Sequence, residues 1–349
     1  MTFTRPFTFA LVLLVPLLAV GHHSTAGRYG PEPSLVIEGA VTVLSWRNPH
    51  SLIIVDAIDE SGNRADWSLE TSSINQLRRS GIQSESIKVG DTIKVAGYPP
   101  LTSTREIFAT NIQIASGEEL IISSDVGPRF ADEGIGDSSF QSHSRGNSSR
   151  PDLGIFRVWS YTDESPWLFP DIGDPELDVA AYYRLTDIAV EKLTAFDRAR
   201  DNPTRNCTPK GMPTIMEQPY PMEIVEDGDN ILLLTEEYDT QRTIHMDIDS
   251  VQDGQPLSPL GFSIGHWEDQ DSVLVVTTTH LNWPFFSQLG IPQSQKSRLT
   301  ERFVPSTDGS RLDYELTVND PDTFMEPVHL ERYWLYLPAT ERLPYNCTE

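Results

Sequence analysis

The stretch PMEIVEDGDNILLLTEEYDTQRTIHMD, residues 221–247, reads as three strands joined by turns. Pro221–Val225 runs into the turn Glu226-Asp-Gly-Asp229, Asn230–Tyr238 returns, and Gln241–Asp247 crosses again. The same rhythm continues downstream. Gly261–Trp267 turns at Glu268-Asp-Gln-Asp271 into Ser272–His280, and Ser297–Val304 turns at Ser306-Thr-Asp-Gly309 into Arg311–Val318. Val328–Leu337 is a last strand. About eight sequential antiparallel strands with tight turns predict an up-and-down barrel, with a sandwich as the alternative.

Upstream, Gly154–Trp159 opens this second domain as a strand. Asp187–Arg200 reads as a helical excursion with Ile188, Leu193 and Phe196 on one face, ended by Asn202-Pro203. Residues 123–151 are rich in Gly, Ser and Asp and have the composition of a disordered linker. Before them lie strands Leu35–Trp46, Ser51–Ile58 and Arg64–Glu70. A short helix follows over Ser72–Ser80, with Ser72 or Ser73 as N-cap and Gly81 as stop. Ser86–Gly97 and Ile107–Ala115 are two further strands. That order fits an OB-type barrel, among other five-stranded barrels. The chain is thus expected to be mainly β, with one small barrel over residues 22–122 and a larger one over 152–349.

The N-terminus carries one charge, Arg5, and then the apolar run FTFALVLLVPLLAV, residues 7–20, ending at Ala19 and Gly21. This is the pattern of a secretory signal peptide over residues 1–21. A spanning helix needs about 20 apolar residues, and Pro16 interrupts this run. No cysteine follows the expected cleavage site, which argues against a lipid anchor, and no later segment is apolar enough to span a bilayer. The chain is therefore expected to be periplasmic or secreted, without a stable membrane span after cleavage. Its two cysteines, Cys207 and Cys347, are expected to form a disulfide in that oxidising space. The net charge of −25 disfavours nucleic acid and anionic membrane surfaces as partners, since both are bound through Lys and Arg.

Short motifs carry two resemblances. His22-His23-Ser24, Asn48-Pro49-His50 and Gly90-Asp91-Thr92-Ile93-Lys94-Val95-Ala96-Gly97 resemble a bacterial exported family of unknown function, over roughly residues 22–120. Cys207-Thr-Pro-Lys-Gly-Met-Pro213, Pro219-Tyr-Pro-Met-Glu-Ile-Val225, Arg242-Thr-Ile-His-Met-Asp247, Gly261-Phe-Ser-Ile-Gly-His-Trp267, Glu301-Arg302-Phe303 and Cys347-Thr-Glu349 resemble a second uncharacterised exported family. Where that family often has Arg before the tryptophan, this chain has His266. The opening also resembles the Gly-x-Trp start of calycin barrels, with Phe156 in place of Trp. The resemblances imply architecture and location; they bring no activity.

Candidate chemistry follows from residue types. Cleavage after Gly21 would leave His22 with a free amine and an imidazole, and a second imidazole from His23 or His50 would complete a T-shaped copper site. Cleavage one residue earlier would leave Gly-His-His, a square-planar Cu(II) or Ni(II) chelator. Copper is the cofactor these residues suggest first, and Asn48-Pro49-His50 reads more readily as a structural turn. In the second barrel, Arg242 shares a face with Ile244 and Met246, and Glu301 with Leu299 and Phe303, so both charges point inward. Such a pair can hold a ligand, perform acid–base chemistry or neutralise itself. His266, His280 and His329, with Trp267, Trp283 and Trp334, lie near strand ends and are expected at one barrel mouth. Gly261-Phe-Ser-Ile-Gly265 has the letters of a nucleophile elbow in a strand-to-hairpin context. Three readings result: a binding protein for a small, partly apolar ligand, contacting Arg242, His266, Trp267, His280, Trp283 and Glu301; an enzyme using Glu301, Arg242 and His280; and a copper-handling protein.

Overall fold

The computed structural model describes residues 29–348, apart from 31, 59–61, 102–103, 124–125, 137–148, 162–164, 171–176 and 269–271. The leader, His22 and His23 lie outside the described residues.

The first barrel is built from β1 (Leu35–Ser45), β2 (Leu52–Ile58), β3 (Arg64–Glu70), β4 (Thr92–Tyr98) and β5 (Glu106–Gln113). They pair in the order β3-β2-β1-β4-β5, and a parallel β3–β5 pairing closes the ring. Alternate residues such as Ile53, Val55, Leu69 and Val95 are fully buried inside it, as period-two patterning requires. The helix Ile74–Arg79 bridges β3 and β4, which completes the OB-like order. Ser73 caps it through a reciprocal pair with Gln76, and Gly81 stops it at φ +82. A short β6 (Glu119–Ile121) extends the sheet beside β5.

Part of the expected linker is in place on this barrel. The buried Glu119 carboxylate accepts backbone N–H groups of Arg129, Phe130 and Ala131 at 2.7–2.8 Å. Ile135 exchanges backbone hydrogen bonds with β6. The composition of 126–136 hides this because the anchor is a side chain outside the segment. Residues 137–148 lie outside those described.

The second barrel is a nine-stranded sheet in sequence order: β7 (Val158–Trp159), β8 (Met222–Asp227), β9 (Asn230–Thr235), β10 (Gln241–His245), β11 (Phe262–Glu268), β12 (Val273–Thr279), β13 (Arg298–Pro305), β14 (Arg311–Asn319) and β15 (Val328–Leu335). A Ser160–Leu335 bridge nearly closes it. One pairing departs from the up-and-down expectation: β10 and β11 are parallel. The chain between them returns to the starting end before β11 begins. The opening strand is also shorter than expected: local bonds from Gly154 N–H to Pro151, Phe156 N–H to Leu153 and Arg157 N–H to Ile155 keep the chain turning until Val158.

The helical excursion differs too. Its helix spans Asp187–Ala195 and buries Ala189, leaving Ile188 62% exposed. Phe196 turns to extended backbone and packs edge-on to Phe285 at 5.1 Å. Tertiary contact, not helical periodicity, decides where that ring goes.

The barrels also dock directly. Glu236, fully buried, pairs with Arg79 and accepts from Asn75 Nδ2 at 3.0 Å. The C-terminal tail lies in the same interface: Asn48 Nδ2 donates to the Tyr345 carbonyl, Asn75 Nδ2 to that of Pro344 at 3.1 Å, and Arg79 to that of Glu341 at 3.0 Å. Cys347 is bonded to Cys207, as expected. Asn48 and Cys207, conspicuous in the sequence, thus sit at or beside a domain interface. Arg79→Met is expected to lower stability by about 2 kcal/mol, because Glu236 loses its charged donor and keeps only neutral ones. An unchanged urea midpoint for the full chain would show that the pair contributes nothing.

Candidate functional site

Strand direction gathers three strand ends at one end of the second barrel: β8, β11 and β13 all finish on the same side. The segment 151–156, which leads into β7, reaches the same end. Between these elements lies an open cleft of about 770 Å³. Phe156 and Trp267 form one wall, ring centroids 6.0 Å apart and edge to face. Ile231 and Met246 give it an apolar floor, while Glu226, Asp229, Ser306 and Thr307 supply a polar rim. Gly265 makes room for that floor. A Cβ there would lie 2.5 Å from Met246 Sδ and 2.6 Å from Ile244 Cγ2.

Below the cleft the barrel is filled. Across the sheet, Trp267 is followed by Leu274, Phe303 and Tyr314 in register, the last three fully buried. The next row carries Glu301, paired across the ladder with Val276 and Leu316. Glu301 lies four residues from Pro305 at the rim, about 13 Å along the strand.

Arg242 and Glu301 do meet, as strand parity predicts. Arg242 Nη1 donates to Glu301 Oε1 at 2.9 Å and its Nη2 pairs with Oε2. Further bonds come from Tyr314 Oη (2.9 Å to Oε1), Ser263 Oγ (3.0 Å from Arg242 Nε) and Thr278 Oγ1 (2.7 Å from Arg242 Nη2). Burial alone would lower the Arg242 pKa, but the Glu301 carboxylate beside it leaves it raised. Burial and the same carboxylate hold the Tyr314 hydroxyl far above its ordinary value, so it stays a donor. Glu301 is 0% and Arg242 3% exposed. Every nitrogen of Arg242 and both carboxylate oxygens of Glu301 are engaged, and the pair is buried below the cleft. Ser263 is one of its partners, near the start of β11, not the tip of a nucleophile elbow.

The expected single mouth is divided. Trp267 borders the cleft, whereas His266, its neighbour on the outer face, is exposed and lies 3.4 Å from Glu268. His280 and Trp283 follow β12 at the opposite end, where His280 contacts Thr279 Oγ1 and the Trp283 indole donates to Thr214 Oγ1 at 2.9 Å. His329 contacts Thr317 Oγ1 in an exposed pair. Alternation and the length of β12 separate these residues; proximity to a strand end does not say which end.

Two further buried charge groups were not anticipated. Arg332 donates to Glu217 Oε1 at 3.0 Å, and Glu217 also accepts the Leu168 and Phe169 N–H groups. Burial pushes the Glu217 carboxyl up against the pull of Arg332. Lys210 pairs with Glu237 at 2.8 Å near the domain interface. Arg332 was open to detection: it shares a face with Leu330 and Trp334.

His50 sits at the turn, its Nδ1 3.1 Å from the Thr71 carbonyl and 3.6 Å from Glu70 Oε1. No group of three or more His, Cys, Asp or Glu side chains suited to a metal occurs among the described residues. The copper reading rests on His22 and His23, which lie outside them.

Residues 11–107 match a family of unknown function (DUF6152). The match runs through β4 into the start of β5 and does not reach the second barrel. No curated protein matches the chain.

Proposed function

We propose that this chain is an exported binding protein whose second barrel holds a small, partly apolar ligand at its open mouth. The observation that carries this reading is the cleft of about 770 Å³ itself, with Phe156, Trp267, Met246 and Ile231 beneath a polar rim. Its size and mixed lining suit a small organic molecule. The open end of a barrel is also a recurrent place for such a site. Export is supported by the leader pattern in residues 1–21, and by the use of both cysteines in a bridge. The polar network of Arg242 and Glu301 enters this reading as the support beneath the pocket, since both side chains are buried and neither lines the cleft.

The test is recovery of the secreted or periplasmic protein, followed by native mass spectrometry and denaturing extraction. A bound small molecule is expected in the wild type and at least tenfold less of it in Thr307→Trp. Thr307 is exposed on the rim, so a large ring there fills the mouth without entering the core. Equal ligand content in both proteins would overturn the assignment of the site. The intact mass checks location as well: a mature chain starting near His22 is expected, and a chain retaining Met1 would sink the export reading.

A further inference from the structure

The cleft is chemically one-sided. Two aromatic rings, Phe156 and Trp267, stand at its wall, and two carboxylates, Glu226 at the end of β8 and Asp229 in the turn after it, come to its rim. No lysine, arginine or histidine is among its lining residues. Both carboxylates are exposed, and among the described residues the structure shows no side-chain hydrogen bond or ion pair to either.

The cations nearby are committed elsewhere. Arg157 is 6% exposed behind the wall, donating to the Gly309 and Arg150 carbonyls and lying 4.7 Å from the Tyr336 ring centroid. Arg150 pairs with Asp152 at 2.9 Å, Arg311 with Asp313, and Arg302 with Glu268 at 2.7 Å. Among the described residues, an anionic ligand would therefore meet two carboxylates without an ion-pair partner and no donor cation lining the cleft. A neutral one would leave them unused.

We infer that the ligand is a cation with an apolar body, of the organic ammonium class. This rests on the binding reading above and deepens it. The charged head belongs between the rim carboxylates and the aromatic wall, where the ring quadrupole adds to the attraction. The body lies over Ile231 and Met246. The net charge of −25 also raises the local concentration of cations before any contact forms.

The test compares octyltrimethylammonium, octyl sulfate and octyl glucoside, each below micelle formation, by calorimetric titration into the full chain. At low salt the ammonium is expected to bind about tenfold tighter than the sulfate, an advantage that shrinks at high salt. In Glu226→Gln/Asp229→Asn that advantage disappears while glucoside binding stays unchanged. Equal affinity for ammonium and sulfate in the wild type, or an advantage that survives in the double variant, overturns the inference and leaves the pocket standing. Failure of all three probes, or binding indifferent to Thr307→Trp, overturns the pocket itself.

Discussion

Glu301→Gln is expected to destabilise the second barrel by about 3–5 kcal/mol, the usual result of removing one member of a buried ion pair. The loss comes from what remains. Arg242, 3% exposed, keeps its full charge and, among the described residues, is left with the Ser263 and Thr278 hydroxyls as side-chain partners. Tyr314 loses the carboxylate that accepts its hydroxyl at 2.9 Å. The double variant Arg242→Met/Glu301→Leu should recover at least half of the loss, because it removes the stranded charge along with its partner. Urea denaturation of the wild type, both single variants and the double variant yields the coupling. If Glu301→Gln melts like the wild type, the carboxylate is not a structural partner, and the enzyme reading, in which it is spent on chemistry, regains force.

Alternation along strands made most of this legible. Arg242 with Ile244, and Glu301 with Leu299 and Phe303, fall on one face at period two, and the barrel brings those faces together. The same arithmetic reaches Arg332 through Leu330 and Trp334. It does not reach Glu217, Lys210, Glu236 or Glu237, which lie outside the strands and are buried by chain packing far from them in sequence. The turns at residues 226–229 and 306–309 were readable, and strand order makes the end they occupy follow. What sequence could not supply was the parallel β10–β11 step, since a crossover of 246–261 leaves no periodic trace. The OB-like order was readable because turn chemistry and a Ser73 capping box mark every element boundary. Docking of the barrels was not. Arg79 looks like an ordinary helix-end cation until Glu236 arrives from a residue 157 positions away.

Removing the Cys207–Cys347 bridge should be the other large effect. The cysteines are 140 residues apart, and closing a loop of that length restricts the unfolded chain by about 5 kcal/mol on the entropy model, an upper figure. The bridge has a second consequence here because Cys347 lies in the tail that packs between the barrels. Tyr345 N–H donates to Asp239 at 3.1 Å, its ring meets Tyr220 and Tyr238, and its carbonyl receives Asn48 from the first barrel. Leu343 N–H donates to Glu236 at 2.7 Å. Freeing the tail therefore loosens the interface as well as the loop. Cys207→Ala/Cys347→Ala is expected to lower the urea midpoint strongly and to expose residues 337–348 to protease in the otherwise folded chain. Entropy of the unfolded state alone would lower the midpoint and leave that segment as protected as before under native conditions. Early cleavage there in the variant, absent in the oxidised wild type, identifies the bridge as the fastening of the two barrels.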